Sequence, residues 1–301
     1  MPAPEPRTGV TGVIHDIGYR NYDGARLGRW YLVRSLFAQS LRGAYGLGRP
    51  ARSRVMPLLL LAAMLFPALI MVVVTVISGG DLEIDYTEYV PITFYISSIF
   101  VAAQAPQLVS RDLRFRTVPL YFSRPMGYAD YVLAKYAAMA AALLILLGAP
   151  LLVLYGGALL ADLPFWANTR GVLKGLTGAA LFSVVLAGIG LAIASVTPRR
   201  GFGVAAIITI ILVSYTLAST VEGIALSEDK PTVALYAELF TPYNLVNSLQ
   251  LWLFQVRENP TFDELPVPHG WQGLIFVAVA AATVAASAGF LLLRYRKASA
   301  R

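Results

Sequence analysis

The sequence predicts an all-α membrane protein with six transmembrane helices, an N-terminal interfacial helix and two short outer helices before the last span. Three observations carry that prediction. Apolar runs of about 20 residues, the length that crosses a bilayer as a helix, recur along the chain. Hydrophobic residues make up 57% of the 301 and charged residues only 14%, with mean hydropathy +0.64, a balance found in membrane proteins. The charges between the runs also alternate in sign from one segment to the next, as they do when successive loops face opposite sides of a membrane.

Residues 1–25 are rich in Pro, Gly and Thr without periodicity, and read as a loose or surface-draped segment. Over 26–46, RLGRWYLVRSLFAQSLRGAYG spaces Trp30, Val33, Phe37 and Leu41 at three- and four-residue intervals, with Arg34 and Arg42 for the polar side. That pattern predicts an amphipathic helix lying in the inner interface, a soluble helix packed on a partner being the alternative. Gly46, Gly48 and Pro50 end it, and Arg52 and Arg54 mark the membrane edge. Residues 1–56 thus form a cytoplasmic N-terminal segment, and 57–301 a transmembrane domain.

The spans are predicted at 57–78, 90–109, 136–160, 172–196, 202–224 and 272–293. Arginines crowd the segment before the first span, the loop 110–135, the turn at Arg199 and Arg200, and the C-terminus from Arg294 to Arg301. The intervening loops carry Asp81, Glu83, Asp85 and Glu88, then Glu228, Asp229, Glu238, Glu258, Asp263 and Glu264; Arg170, Lys174, Lys230 and Arg257 are the basic residues on that side. The bias places both termini in the cytoplasm of a multi-pass protein. The N-terminus is polar and Arg-rich up to the first span, so that span is expected to be retained rather than cleaved.

The connection 225–271 is not uniformly polar. VALYAELF and NLVNSLQLWLF have helical apolar patterns on either side of Thr241–Tyr243, each too short to span, which predicts two interfacial or re-entrant helices. Trp252 and Trp271 suit the outer interface, and ENPTFDELPVPHG reads as a Pro-rich external loop.

Several chemistries find no residues. The chain has no cysteine, and its two histidines, His15 and His269, lie outside the apolar runs. Thiolate chemistry, a serine–histidine dyad within the spans and a helical histidine pair for zinc are therefore all without their parts. No G-x-x-x-x-G-K-[ST] loop occurs, so an ordinary P-loop ATPase is excluded. The net charge of +7 follows membrane topology and does not point to nucleic acid. Ionisable groups are nearly absent from the spans: Lys174 and Glu222 sit near outer ends. Glu222 reads either as a gate or substrate contact or as an edge carboxylate reaching water.

The loop 110–135, SRDLRFRTVPLYFSRPMGYADYVLAK, sets Arg111, Arg114, Arg116, Arg124 and Lys135 against Asp112 and Asp130. Pro119, Pro125 and Gly127 bracket a short rigid helix, with Leu120, Tyr121 and Phe122 as apolar anchor. It reads as a docking surface; a positively charged tether with its aromatics at the headgroups is the other reading.

The string VSRDLRFRTVPLYFSRPMGYADYVLAKY, with its charged Asp–Arg exit, Leu–Tyr–Ser–Arg–Pro segment and Tyr-x-x-x-Lys lead into the third span, resembles the ABC-2 type permeases. These are the membrane subunits of type V ATP-binding-cassette exporters. The six-span plan, the interfacial helix and the paired outer helices extend the resemblance over nearly the whole chain. YRNYDGARLGRWYLVRSLFAQSLRGAYGLGR resembles an actinobacterial-like branch of them. The resemblance implies a transport subunit of the cell membrane that is not itself an enzyme. ATP and Mg would be bound by a separate ATPase subunit, and a second permease copy or paralogue would complete the assembly. It also implies that 110–135 is the coupling element, with Arg111, Asp112, Arg116, Leu120, Tyr121, Arg124 and Asp130 as the ATPase contacts. Gln104, Gln107 and Glu222 are candidates for the substrate path, with helix–helix hydrogen bonding the other role for the two glutamines. Pro67, Pro106 and Pro150 offer kinks within spans. Competing readings are a non-transporting scaffold or sensor subunit, a secondary carrier, which requires a buried charged pair that the spans do not display, and a membrane enzyme.

Overall fold

The computed structural model describes residues 24, 27–79, 85–115, 117–123, 125–197, 199–255 and 267–299, and among these every regular element is a helix. In chain order they are α1 (Arg29–Ala44), α2 (Arg52–Ser78), α3 (Tyr86–Ile92), α4 (Phe94–Leu108), α5 (Ser110–Arg114), α6 (Val118–Phe122) and α7 (Tyr128–Leu160). They continue as α8 (Phe165–Val196), α9 (Arg200–Ser227), α10 (Pro231–Ala237), a 3₁₀ turn at Glu238–Phe240, α11 (Pro242–Phe254) and α12 (Gln272–Ser299). Five of them, α2, α7, α8, α9 and α12, are long and apolar enough to cross a membrane.

The stretch 90–109, expected as one span, is instead two helices. Pro91 has no N–H to give the Thr87 carbonyl one turn back. At Thr93 the backbone turns to φ −91° and ψ 11°, and the Thr93 hydroxyl bonds the Tyr89 and Val90 carbonyls at 3.0 Å each. The Thr87 carbonyl takes its donor from another element, the Gln250 amide of α11 at 3.1 Å. The 15 residues of α4 rise about 22 Å, less than a hydrocarbon core.

The hairpin of α7 and α8 is the centre. About 56% and 61% of their apolar windows are buried, against 22%, 17% and 22% for α2, α9 and α12, whose outer faces expose Leu, Ile, Val and Phe. α2 and α1 pack on α7, α12 on both helices of the hairpin, and α4 on α8 and α9. α8 accepts so many neighbours because it is laced with small residues. A methyl at Gly178 would strike the Gln250 amide, and one at Gly188 the Tyr136 hydroxyl and Ser287. On the far side of the bundle α10 folds back along α9, and α11 packs on α8 and α12.

Candidate functional site

The segment 110–135 folds as α5, α6 and the first turns of α7 at the end of the bundle where α2 and α9 begin. α5 is fastened to the end of α8 by the Ser110 hydroxyl, which donates to the Ala194 carbonyl at 2.6 Å. Gly127 caps α7, and its N–H donates to the Asp130 carboxylate three residues on at 2.9 Å, one half of a capping box.

The two acidic residues expected to face an ATPase are both taken up inside this chain. Asp130 accepts a fork from Arg29 of α1, with both N–O distances 2.7 Å, which ties the starts of α1 and α7 together. Beside that carboxylate the Arg29 guanidinium is held above its usual pKa, chiefly by the hydrogen bond and then by the charge of Asp130. Asp112 turns inward. Its carboxylate lies 3.0 Å from the Lys135 ammonium and accepts the Tyr131 hydroxyl, while Lys135 also donates to the Leu108 carbonyl at 2.9 Å. Lys135 is only 8% exposed, so this is a buried ion pair with each end hydrogen-bonded, the condition under which such a pair is tolerated.

Tyr131 is the hub around which the segment is built. Its ring stacks on Tyr295 of α12 at 5.0 Å and meets Tyr121 and Phe122 of α6 at 5.3 and 6.1 Å, with the Lys135 ammonium 5.5 Å from its centroid. Tyr121 is therefore half-buried against this hub, and Leu120, at 69% exposure, is the apolar side chain that projects outward. Arg111 belongs to α5, its side chain lying outside the described residues, as do Arg116 and Arg124 altogether.

A cavity of about 550 Å³ lies behind the segment, bounded by Ser40 and Gln39 of α1 and by Gln107, Asp112, Tyr121 and Lys135. Gln107 accepts from the Arg49 guanidinium at 2.5 Å and donates to the Ala103 carbonyl at 3.1 Å, at the end of α4 next to the start of α2. Gln104 is buried within the bundle.

Glu222 lies at the opposite end of α9, buried and electrostatically coupled to a second buried carboxyl, Glu238 of the 3₁₀ turn. Glu238 accepts the Ser248 hydroxyl of α11. Burial pushes its pKa up to about 8, with Glu222 adding to the rise and Ser248 opposing it. An aromatic cluster stands alongside, Tyr243 packing on Phe94 at 4.9 Å and on Tyr215 at 5.8 Å. Among the described residues no group of three or more His, Asp or Glu side chains converges as a metal ion would require.

The residues missed in the sequence differ in how visible they were. Tyr131 and Lys135 sit four apart at the start of α7, hence on one face, and Lys135 follows a loop with few acids to pair with. That spacing was a usable signal for the contact of Lys135 with the Tyr131 ring, though not for its pairing with Asp112. Nothing in the sequence links Arg29 to Asp130, 101 residues away, or Glu238 to Glu222. No protein-family model matches the chain, and no curated protein matches it.

Proposed function

We propose that this chain is the membrane subunit of an ATP-driven exporter of the ABC-2 type, and that α5 and α6 receive the motion of a separate ATPase. The observation that carries the reading is the Asp112–Lys135–Tyr131 cluster, with Leu120 exposed beyond it. A force can pass through a loop only if the loop is stiff. Here α5 is bonded to α8, α6 is stacked through Tyr131 on α12, and α7 is forked to α1. Displacing the segment thus displaces four helices together.

In this reading α3 and α4 together make the second of six crossings, with both termini cytoplasmic in the plasma membrane. α1 lies in the inner interface, and α10 and α11 lie at the outer one. ATP and Mg belong to the ATPase, and a second copy or a paralogue of this chain faces the first. Leu120 is the contact that reaches the ATPase, while Asp112 and Asp130 hold the segment in shape. Tyr121 supports Leu120 from behind.

The test is co-expression with a candidate ATPase subunit, reading complex retention and ATP hydrolysis. Leu120→Glu alters an exposed side chain, so the protein should still fold while losing the ATPase or its coupled activity. Lack of association by the unaltered chain would remove the exporter reading and leave the scaffold one.

A further inference from the structure

A second cavity, of about 340 Å³, opens between the beginnings of α2 and α9, the end of α4, and α5. Arg49, Arg114 and Arg200 line it from three separate stretches of chain, and none of its lining residues is acidic. Gln107 fixes the Arg49 guanidinium, and Arg114 sits over the Phe115 ring at 5.6 Å. The hydroxyls of Ser53 and Ser110 already donate to the Pro50 and Ala194 carbonyls, at 2.7 and 2.6 Å. The wall thus asks for an acceptor with several oxygens. Arginine forks match phosphate oxygens in geometry as well as charge. The positive ends of two long helices, α2 and α9, add to the field. Asp112, the nearby carboxylate, lines the neighbouring cavity and is neutralised by Lys135.

The position says where such an anion comes from. α2 and α9 are both long and apolar enough to cross a membrane, so their common end lies at headgroup level. Just past the cavity, α2 exposes Val55, Leu58 and Leu59, and α9 exposes Phe202, a surface suited to acyl chains. We infer that this cavity binds the phosphate of an anionic phospholipid among Arg49, Arg114 and Arg200, with the lipid tails along α2 and α9. The inference does not depend on the transport reading, and its test needs no ATPase.

The full chain is released from nanodiscs holding equal phosphatidylglycerol and phosphatidylcholine, and retained lipid is counted by native mass spectrometry. Phosphatidylglycerol should be retained in several-fold excess. Arg114→Gln with Arg200→Gln should weaken its retention roughly fivefold for each arginine. Arg34→Gln with Arg54→Gln, which removes the same charge away from this wall, should leave retention intact. If the first pair fails to fold, Arg200→Gln alone, at an exposed helix start, carries the comparison. Equal retention of the two lipids, or equal loss in both variant pairs, would overturn the site. Displacement of the lipid by inorganic phosphate at matched ionic strength would overturn the lipid as its occupant.

Discussion

The Lys135 ammonium lies 3.0 Å from the Asp112 carboxylate, and the pair is almost closed off from solvent, its side chains 11% and 16% exposed. Twenty-three positions separate the two in sequence, and the whole of α6 lies between them. Their contact therefore closes the segment into a loop against α7.

Removing one partner should do more damage than removing both. Lys135→Met leaves a carboxylate in a mostly buried site with only the Tyr131 hydroxyl, at a cost of about 3 kcal/mol. Asp112→Leu strands the ammonium in the same way. The double variant should recover at least about 1 kcal/mol relative to the sum of the singles, a coupling that chemical or thermal unfolding in detergent measures. Additive effects would mean that the two charges do not sense one another.

The fork between Arg29 and Asp130 should behave differently, because the Arg29 side chain is 68% exposed. Arg29→Ala should barely move the melting temperature, yet should speed backbone hydrogen exchange over the first turns of α1. Asp130→Ala also removes the acceptor for the Gly127 N–H, so it should lower stability further, by on the order of 1 kcal/mol. Equal melting temperatures for the two variants would show the cap to be without weight.

Glu238 makes stability depend on pH with a definite sign. Its folded-state pKa is raised to about 8 from 4.5. Below 4.5 the carboxyl is protonated in both states and nothing is lost. Between 4.5 and 8 the unfolded chain releases a proton that the folded one keeps, so stability falls as pH rises through that window. Glu238→Gln, which can still accept the Ser248 hydroxyl, should match the parent at pH 4.5. At pH 8.5 it should melt roughly 5 °C higher. Glu222→Gln removes a repelling charge and should move the midpoint of the parent's pH dependence downward. Parallel melting curves for parent and Glu238→Gln at both pH values would refute the assignment.

Two glycines separate close packing from mere helix composition. Gly178→Ala forces the Gln250 amide away and leaves the Thr87 carbonyl without its donor, at a cost of about 2 kcal/mol. Gly156→Ala, in α7, meets nothing within 4 Å and should be neutral or slightly stabilising. A melting temperature lowered by both, or by neither, would contradict the packing described for α8.

What could be read in the sequence was whatever hydrophobicity alone decides. The apolar runs of α2, α7, α8, α9 and α12 were each located there, although all five helices begin earlier or end later than their apolar stretch. Helices continue past the bilayer edge for as long as polar residues find caps. For α7 the cap is Asp130 at Gly127, nine residues before the expected start at 136. The run 90–109 is apolar enough to be read as a span, and the break at Thr93 depends on a single missing N–H and on a donor from α11. Hydropathy averages over such a detail. In the candidate site, composition disclosed the basic segment and its aromatics but not their directions. Asp112 and Asp130 looked like surface charges because their partners, Lys135 and Arg29, are chosen by the packing of α7 against α4 and α1. Leu120 was visible as an anchor, and its outward projection needed Tyr121 to be claimed by Tyr131.

The Gln250 amide, set where Pro91 withholds an N–H, has a mechanical meaning for α4. One end of that helix meets α3, whose Thr87 carbonyl is held by Gln250 of α11. The other ends in Gln107 and Ser110, which hold Arg49 and Ala194. It is a strut about 22 Å long with a seat at each end. A push on α11 has to emerge around Arg49 at the far end of α4, or else slide the strut along α8 and α9.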